Sequence, residues 1–157
     1  MLHRSPIPSC RGGPARRRSI VAEPLARDDG EEQRLGGVAR SRDGGKSCQK
    51  LETDYTRAVL IPPARPDLVL AGPSPDVGRG GRIVVSADGG DTWQPASNGI
   101  AAPMPDMVEL FVAAPDGSVW AICSGGRLLR SAAGEWRWRS ALPGNPDLRV
   151  QSVAFGP

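Results

Sequence analysis

Histidine, aromatic residues and long apolar runs are scarce in this chain of 157 residues, and each scarcity excludes a class of function. His3 is the only histidine, which excludes histidine-dependent catalytic triads and histidine-rich metal sites. Aromatic residues make up 4% of the chain and are not interleaved with the basic residues for stacking on bases. No run is long and apolar enough to span a membrane. We therefore expect no nucleic-acid partner, no membrane partner, no metal and no cofactor.

The amino-terminal segment and the cysteines also lack clear signals. Cys10, Cys48 and Cys123 follow no metal-ligand spacing, and an odd number excludes a complete disulfide framework. Residues 1–33 contain no apolar core of a signal peptide. Arg16-Arg17 is similar to a twin-arginine signal, and the arginine-rich start has the composition of a transit peptide, so the compartment is left open. We expect residues 1–33 to be a disordered, arginine-rich tail, with no regular sheet beyond a stray short strand.

Glycine and proline, by contrast, are abundant, with 20 and 16 residues. Such a composition favours many short strands joined by tight turns. The sequence also contains an internal repeat. Two octapeptides that begin at Ser41 and Ser86 match, and a weaker copy begins at Ser131. Cys48, Trp93 and Trp138 close the three copies. The spacing of 45 residues is that of one four-stranded β-propeller blade.

Short apolar runs bounded by glycine, proline or aspartate accompany each octapeptide and predict strands. They lie at 37–40, 58–61, 67–72, 82–85, 108–112, 118–122, 127–130 and 150–155. We expect an all-β, partial β-propeller of four-stranded antiparallel blades. Residues 34–52 would form the last hairpin of one blade, 55–95 and 105–140 two complete blades, and 149–157 the first strand of a further blade.

The octapeptide resembles the Asp-box, or bacterial neuraminidase (BNR) repeat, with the pattern Ser-x-Asp-x-Gly-x-Thr/Ser-Trp. Residues 86–93 match it fully, the first copy departs at Cys48, and the third has Ala133 and Glu135 in place of aspartate and glycine. The resemblance covers roughly residues 34–157. It implies a sialidase-like superfamily repeat protein, similar to sortilin, photosystem II assembly factors, sialidases or xyloglucanases. Members are often secreted or periplasmic.

Turn chemistry gives the box a structural role. An aspartate can accept hydrogen bonds from N–H groups of its own turn, and glycine can take a positive φ. A tryptophan then covers the hairpin. The resemblance implies that this turn lies away from the substrate site of the family. The residues with this structural role are Ser41, Asp43, Gly45, Ser47, Ser86, Asp88, Gly90, Thr92, Trp93, Ser131 and Trp138.

Carboxylates outside the boxes are the only candidates for acid–base chemistry, which for glycoside hydrolysis requires two of them in one cleft. Glu109 is the main one, because it interrupts an apolar strand. The sequence lacks the Arg-Ile-Pro that the resemblance to sialidases would imply. Ser124 lacks the first glycine of a nucleophile elbow. We expect no catalytic residue, with Glu109 as the weak candidate.

Three functions stay open at this point. The first is a non-catalytic module that binds or scaffolds a protein or polysaccharide. The second is part of a sialidase- or xyloglucanase-like glycoside hydrolase, and the third is an incomplete product without activity. About three blades fit in 157 residues, whereas a closed propeller has about 4 to 8. We therefore expect a fragment of a larger propeller, a truncated product, or a protomer completed by other blades or chains.

Overall fold

The computed structural model describes residues 19–22, 36–44, 46–52, 54–145 and 147–156. Within these residues the chain forms eleven β-strands and no helix. The strands are β1 (Ser19–Ala22), β2 (Val38–Ser41), β3 (Gln49–Glu52), β4 (Tyr55–Leu60), β5 (Val69–Ser74), β6 (Val84–Ser86), β7 (Gln94–Pro95), β8 (Val108–Ala113), β9 (Val119–Cys123), β10 (Leu128–Ser131) and β11 (Trp138–Ser140). The expected all-β class is confirmed.

The strands form three antiparallel sheets, each built from consecutive strands. The first sheet contains β1–β3, the second β4–β7 and the third β8–β11, and in each the spatial order follows the chain. The second sheet runs from Tyr55 to Pro95 and the third from Val108 to Ser140. Both are the four-stranded sheets that the apolar runs predict.

The hairpins that end the three sheets share one register. Arg40 pairs with Gln49, Val85 with Gln94, and Arg130 with Arg139. Each member of a pair therefore lies 45 residues from its counterpart in the next hairpin. We call residues related by this offset register-equivalent.

The sheets pack face to face and create two cores. The first interface joins the first and second sheets through Val38, Ala71 and Val84. The second interface joins the second and third sheets and is larger; its buried residues are Ala58, Leu70, Ile83, Ala96, Met104, Val108, Phe111, Val119, Ala121, Cys123, Leu129 and Trp138. Strand β5 is buried along its whole length because it has a neighbouring sheet on each face.

Residues 19–22 form one short strand, which the expectation for residues 1–33 allows. They pair with β2 along four residues, from Ser19 opposite Ser41 to Ala22 opposite Val38. The physical reason is that a short β-branched run can satisfy the open hydrogen-bonding edge of β2. The rest of the expected tail, residues 1–18 and 23–33, lies outside the described residues.

Residues 149–156 carry no strand, although the sequence predicts one over 149–157. Val150 N–H instead donates to Gly126 O at 2.9 Å, as Met104 N–H donates to Gly81 O at 2.7 Å. Gly81 and Gly126 are register-equivalent, so the segment around Val150 corresponds to the segment that leads into β8. The assignment of residues 149–157 to the first strand of a further blade therefore stays a prediction.

Candidate functional site

The turns that begin at Ser41 and Ser86 are held by the same hydrogen bonds. Ser47 N–H donates to Asp43 Oδ1 at 2.9 Å, and its hydroxyl donates to Oδ2 at 2.6 Å. Thr92 makes the same two bonds to Asp88, at 2.9 and 2.6 Å. Each carboxylate therefore closes its own turn, as the turn chemistry predicts. Gly45, the glycine of the first box, lies outside the described residues.

These hydrogen bonds favour the ionised carboxylates. The hydroxyl and N–H of Ser47 lower the pKa of Asp43 to about 2. The hydroxyl and N–H of Thr92, with the Ser86 hydroxyl, lower the pKa of Asp88 well below its usual range. Both groups are charged at neutral pH and committed to their turns.

The turn that begins at Ser131 is not held by a carboxylate. Ala133 supplies no carboxylate, and the Ser131 hydroxyl donates to Ala132 O at 3.2 Å. Gly134 keeps the positive φ of its register-equivalent Gly89. Glu135 does not keep that of Gly90, and Trp136 has φ 50° instead. The turn therefore changes path where it lacks the second glycine.

Trp93 and Trp138 lie at register-equivalent places, as the repeat predicts. Trp138 pairs with Ser131, and one further step of the second hairpin's register sets Trp93 opposite Ser86. Trp138 is fully buried, and its Nε1 donates to Ala96 O at 2.7 Å. Trp93 is half-buried against the first interface. The two indoles therefore cover equivalent hairpins to different depths.

A groove lies at the opposite end of the third sheet from these turns. Consecutive antiparallel strands alternate in direction, so the β9–β10 loop, residues 124–127, lies at the end away from the β10–β11 turn. The groove encloses about 530 Å³. Its walls are Glu109, Ile122, Cys123, the loop residues 124–126, and residues 149–151. A second hollow shares Ser124, Gly125 and Arg149 and extends to Asp106 and Arg127.

Arginines hold both carboxylates beside this groove. Asp106 is 7% exposed and receives two hydrogen bonds from Arg127, at 2.8 and 2.5 Å. Arg57 Nη1 lies 2.7 Å from Glu109 Oε2. The weak catalytic candidate Glu109 therefore lines the groove as one half of an ion pair.

Ser124 organises the loop and is not placed as a nucleophile. Its hydroxyl accepts the Met107 N–H at 3.2 Å and donates to Gly78 O at 3.1 Å. Arg149 reaches the same loop, with Nη1 2.6 Å from Gly125 O. Arg149 is exposed, so its remaining N–H groups face the groove and solvent.

Cys123 is buried at the base of the groove as a free thiol. Burial and the nearby carboxylate of Asp106 raise the pKa of the thiol to about 12. A protonated, buried thiol is a poor nucleophile. Cys123 therefore acts as a small apolar residue of the second interface.

Among the described residues, no cluster of three or more His, Cys, Asp or Glu side chains is arranged to hold a metal ion. The same part of the chain contains no helix long and apolar enough to cross a membrane.

Comparison with known proteins identifies the architecture. No family model and no curated protein matches the chain. Solved structures do match. An ancestral GH74 enzyme aligns with a TM-score of 0.56 and 20% identity, over 69% of this chain and 16% of that one. The chain is a partial β-propeller. YCF48 bound to a D1 peptide aligns with a TM-score of 0.45 and 22% identity, over 73% of this chain and 36% of that one. The partial propeller thus spans a minor part of each of these proteins.

Sequence reasoning missed the arginines that organise the groove and the interfaces. Arg127 and Arg149 carry no motif, and they meet Asp106 and Gly125 only through the fold. One signal was available for Arg40 and Arg130, which are register-equivalent in the repeat. Comparing the residues between the boxes, as well as the boxes, would have found them.

Proposed function

We propose that this chain is a non-catalytic part of a larger Asp-box β-propeller, which binds or scaffolds a protein or a glycan. The observation that carries the proposal is the state of the groove carboxylates. Asp106 and Glu109 are each paired with an arginine, at distances of 2.5 to 2.8 Å. A general acid for glycoside cleavage must reach the leaving-group oxygen with its carboxyl group, and both of these carboxylates are instead bonded to a guanidinium.

The two turns that begin at Ser41 and Ser86 support the assignment to the Asp-box family. Asp43 and Asp88 make identical bonds to Ser47 and Thr92. Two four-stranded sheets and one three-stranded sheet make up the described part, and a closed ring has about 4 to 8 blades. Further blades, from this or another chain, would complete the ring.

The groove supplies binding chemistry without catalytic chemistry. Arg149 offers charged donors, and the exposed Ser124 and Gly125 of the loop border the groove. Ile122 and Val150 add apolar walls. Such a surface fits a peptide with an acidic or carbonyl group, or the hydroxyl groups of a polysaccharide.

The competing function is part of a sialidase- or xyloglucanase-like glycoside hydrolase. The observation in its favour is that Glu109 and Asp106 line adjoining hollows at one end of the third sheet. Ligand binding that broke the Arg57 ion pair would free Glu109 for acid–base chemistry.

The test is purified chain on a glycan array and a peptide array, together with a panel of chromogenic glycosides and sialosides. We expect binding without turnover. Arg149→Ala should weaken binding about tenfold, the effect of a lost charge-assisted hydrogen bond. Arg139→Ala is the matched control, because Arg139 is also exposed but lies on β11, away from the groove.

Two results would contradict the proposal. Turnover that Glu109→Gln abolishes would assign the groove to a hydrolase. Binding that Arg149→Ala and Arg139→Ala leave equally unchanged would move the ligand away from the groove.

A further inference from the structure

The outward face of the third sheet is a second surface with a defined chemistry. Phe111, Ala121, Leu129 and Trp138 face the second sheet. Alternation along each strand directs the intervening side chains to the opposite face. That outward face carries Leu110, Val112, Trp120, Ile122, Leu128 and Arg130. Ile122 and Leu128 are already buried within the chain, whereas Leu110 and Arg130 are exposed.

We propose that the outward face binds a further β-blade whose hairpin turn carries an aspartate or glutamate at the position equivalent to Asp91. The inference rests on the proposed propeller function and specifies the partner surface. It follows from how the two interfaces within the chain are built.

At the first interface, an arginine of one sheet binds the hairpin turn of the next. Arg40 Nη1 donates to Gly89 O at 2.8 Å, and Nη2 lies 2.7 Å from Asp91 Oδ1. The Arg40 side chain is 3% exposed. The second sheet therefore covers Arg40 and supplies its acidic partner.

At the second interface, both members of this pair are apolar. Val85 is register-equivalent to Arg40, and Trp136 is register-equivalent to Asp91. Both pack against the core of the second interface. The residue on the strand and the residue on the following turn are thus matched in character, as a charged pair at one interface and an apolar pair at the other.

In the third sheet, the equivalent position is again occupied by a charged residue, Arg130. It is register-equivalent to Arg40, but its side chain is 47% exposed. It lies over the Trp120 ring at 5.6 Å and donates to Asp116 Oδ2 at 2.9 Å. An ion pair with exposed Asp116 contributes little in water, so Arg130 can accept a better-buried partner.

The segment after β11 already follows the path that leads to another blade. Val150 binds Gly126 as Met104 binds Gly81, and the Phe155 ring lies 5.5 Å from the Trp120 ring. A second copy stacking its first sheet here would set Lys46, the register-equivalent of Asp91, against Arg130. Like charges in a close contact oppose that arrangement. The fitting occupant is therefore a blade with an acidic turn.

The test extends the full chain after Pro157 with a copy of residues 55–95, whose turn contains Asp91. The melting temperature is measured for this extended chain and for three variants: Arg130→Glu, Asp91→Arg in the appended copy, and both changes together. Each single reversal should lower the melting temperature by about 3 °C, and the double reversal should restore it. Arg139→Glu is the matched control and should not be restored by Asp91→Arg.

Additive shifts, with no restoration in the double variant, would overturn the inference. An appended blade that trypsin removes as readily as an unfolded tail would overturn it as well. Neither result depends on the glycan and peptide arrays, so failure of this inference is distinguishable from failure of the proposed binding function.

Discussion

The first and second interfaces use one register with opposite chemistry. In the first, Arg40 crosses from one sheet to bind Gly89 and Asp91 in the next turn. In the second, Val85 and Trp136 occupy the equivalent positions and pack against an apolar core, where Trp138 is fully buried and its indole N–H donates to Ala96 O. The common register of the hairpins therefore places equivalent residues at both interfaces. The side chains at those positions decide whether the contact between the sheets is ionic or apolar. Four measurements sharpen this comparison.

The largest effect is expected at the apolar interface. Trp138→Ala removes a fully buried indole and leaves Ala96 O without its donor, so the free energy of unfolding should fall by about 3–5 kcal/mol. Urea denaturation measures the change. Trp93→Ala is the matched control, because this register-equivalent indole is half-buried and should cost clearly less. Equal losses in the free energy of unfolding would mean that the two indoles contribute equally to stability.

The second-largest effect is expected for the ionic contact that Arg40 makes at the first interface. Arg40→Ala removes charge-assisted hydrogen bonds to Gln49, Asp91 and Gly89 at a buried position. The free energy of unfolding should therefore fall by about 2–3 kcal/mol. Arg130→Ala removes the equivalent residue where its side chain is exposed, and should cost under about 1 kcal/mol. Similar urea midpoints for the two variants would contradict a role for Arg40 in joining the sheets.

The third measurement concerns pH. Hydrogen bonds hold the pKa of Asp43 at about 2, below its ordinary value of 3.8, and lower the pKa of Asp88 further. A lowered pKa in the folded state stabilises the protein above the unfolded value, and this stabilisation is lost as the pH falls through the folded value. Stability should therefore decline from about pH 4 toward pH 2.

Replacing both aspartates with asparagine should flatten that decline. Urea midpoints measured between pH 2 and pH 5 report the slope. Glu135→Gln is the control, since it changes a carboxylate of the third turn, where Ala133 replaces the box aspartate. A decline as steep in the double variant as in the parent chain would show that other groups control acid unfolding.

The smallest effect is expected at Gly134. Its φ is 72° and an added Cβ would meet nothing within 4 Å, so Gly134→Ala should cost only the left-handed backbone, about 1 kcal/mol. At Gly90, an added Cβ would also collide with Leu51 Cδ1 across the first interface. Gly90→Ala should therefore destabilise more. The opposite order in thermal melts would show that the interface yields to the extra atom.

The repeat predicted the architecture well because turn chemistry and apolar alternation are local. The blade at 55–95 coincides with β4–β7, and β8–β11 lie within 105–140. The groove was not predictable, since Asp106 meets Arg127 across 21 residues and neither belongs to a motif. The position of the short strand at 19–22 was not predictable either, because a strand of four residues depends on the edge that it pairs with.

The two ends of the sheets differ in how strictly their lengths are set. The β6–β7 and β10–β11 hairpins keep the same pairing register, whereas the β5–β6 loop, residues 75–83, is longer than the β9–β10 loop, residues 124–127. One inserted residue at 87–91 would displace Trp93 from its place opposite Ser86. Several residues inserted near Gly125 would lengthen a loop that already varies between blades. Insertions, in evolution or in the laboratory, are therefore tolerated at the groove end of the sheets and not at the end that carries the β6–β7 and β10–β11 turns.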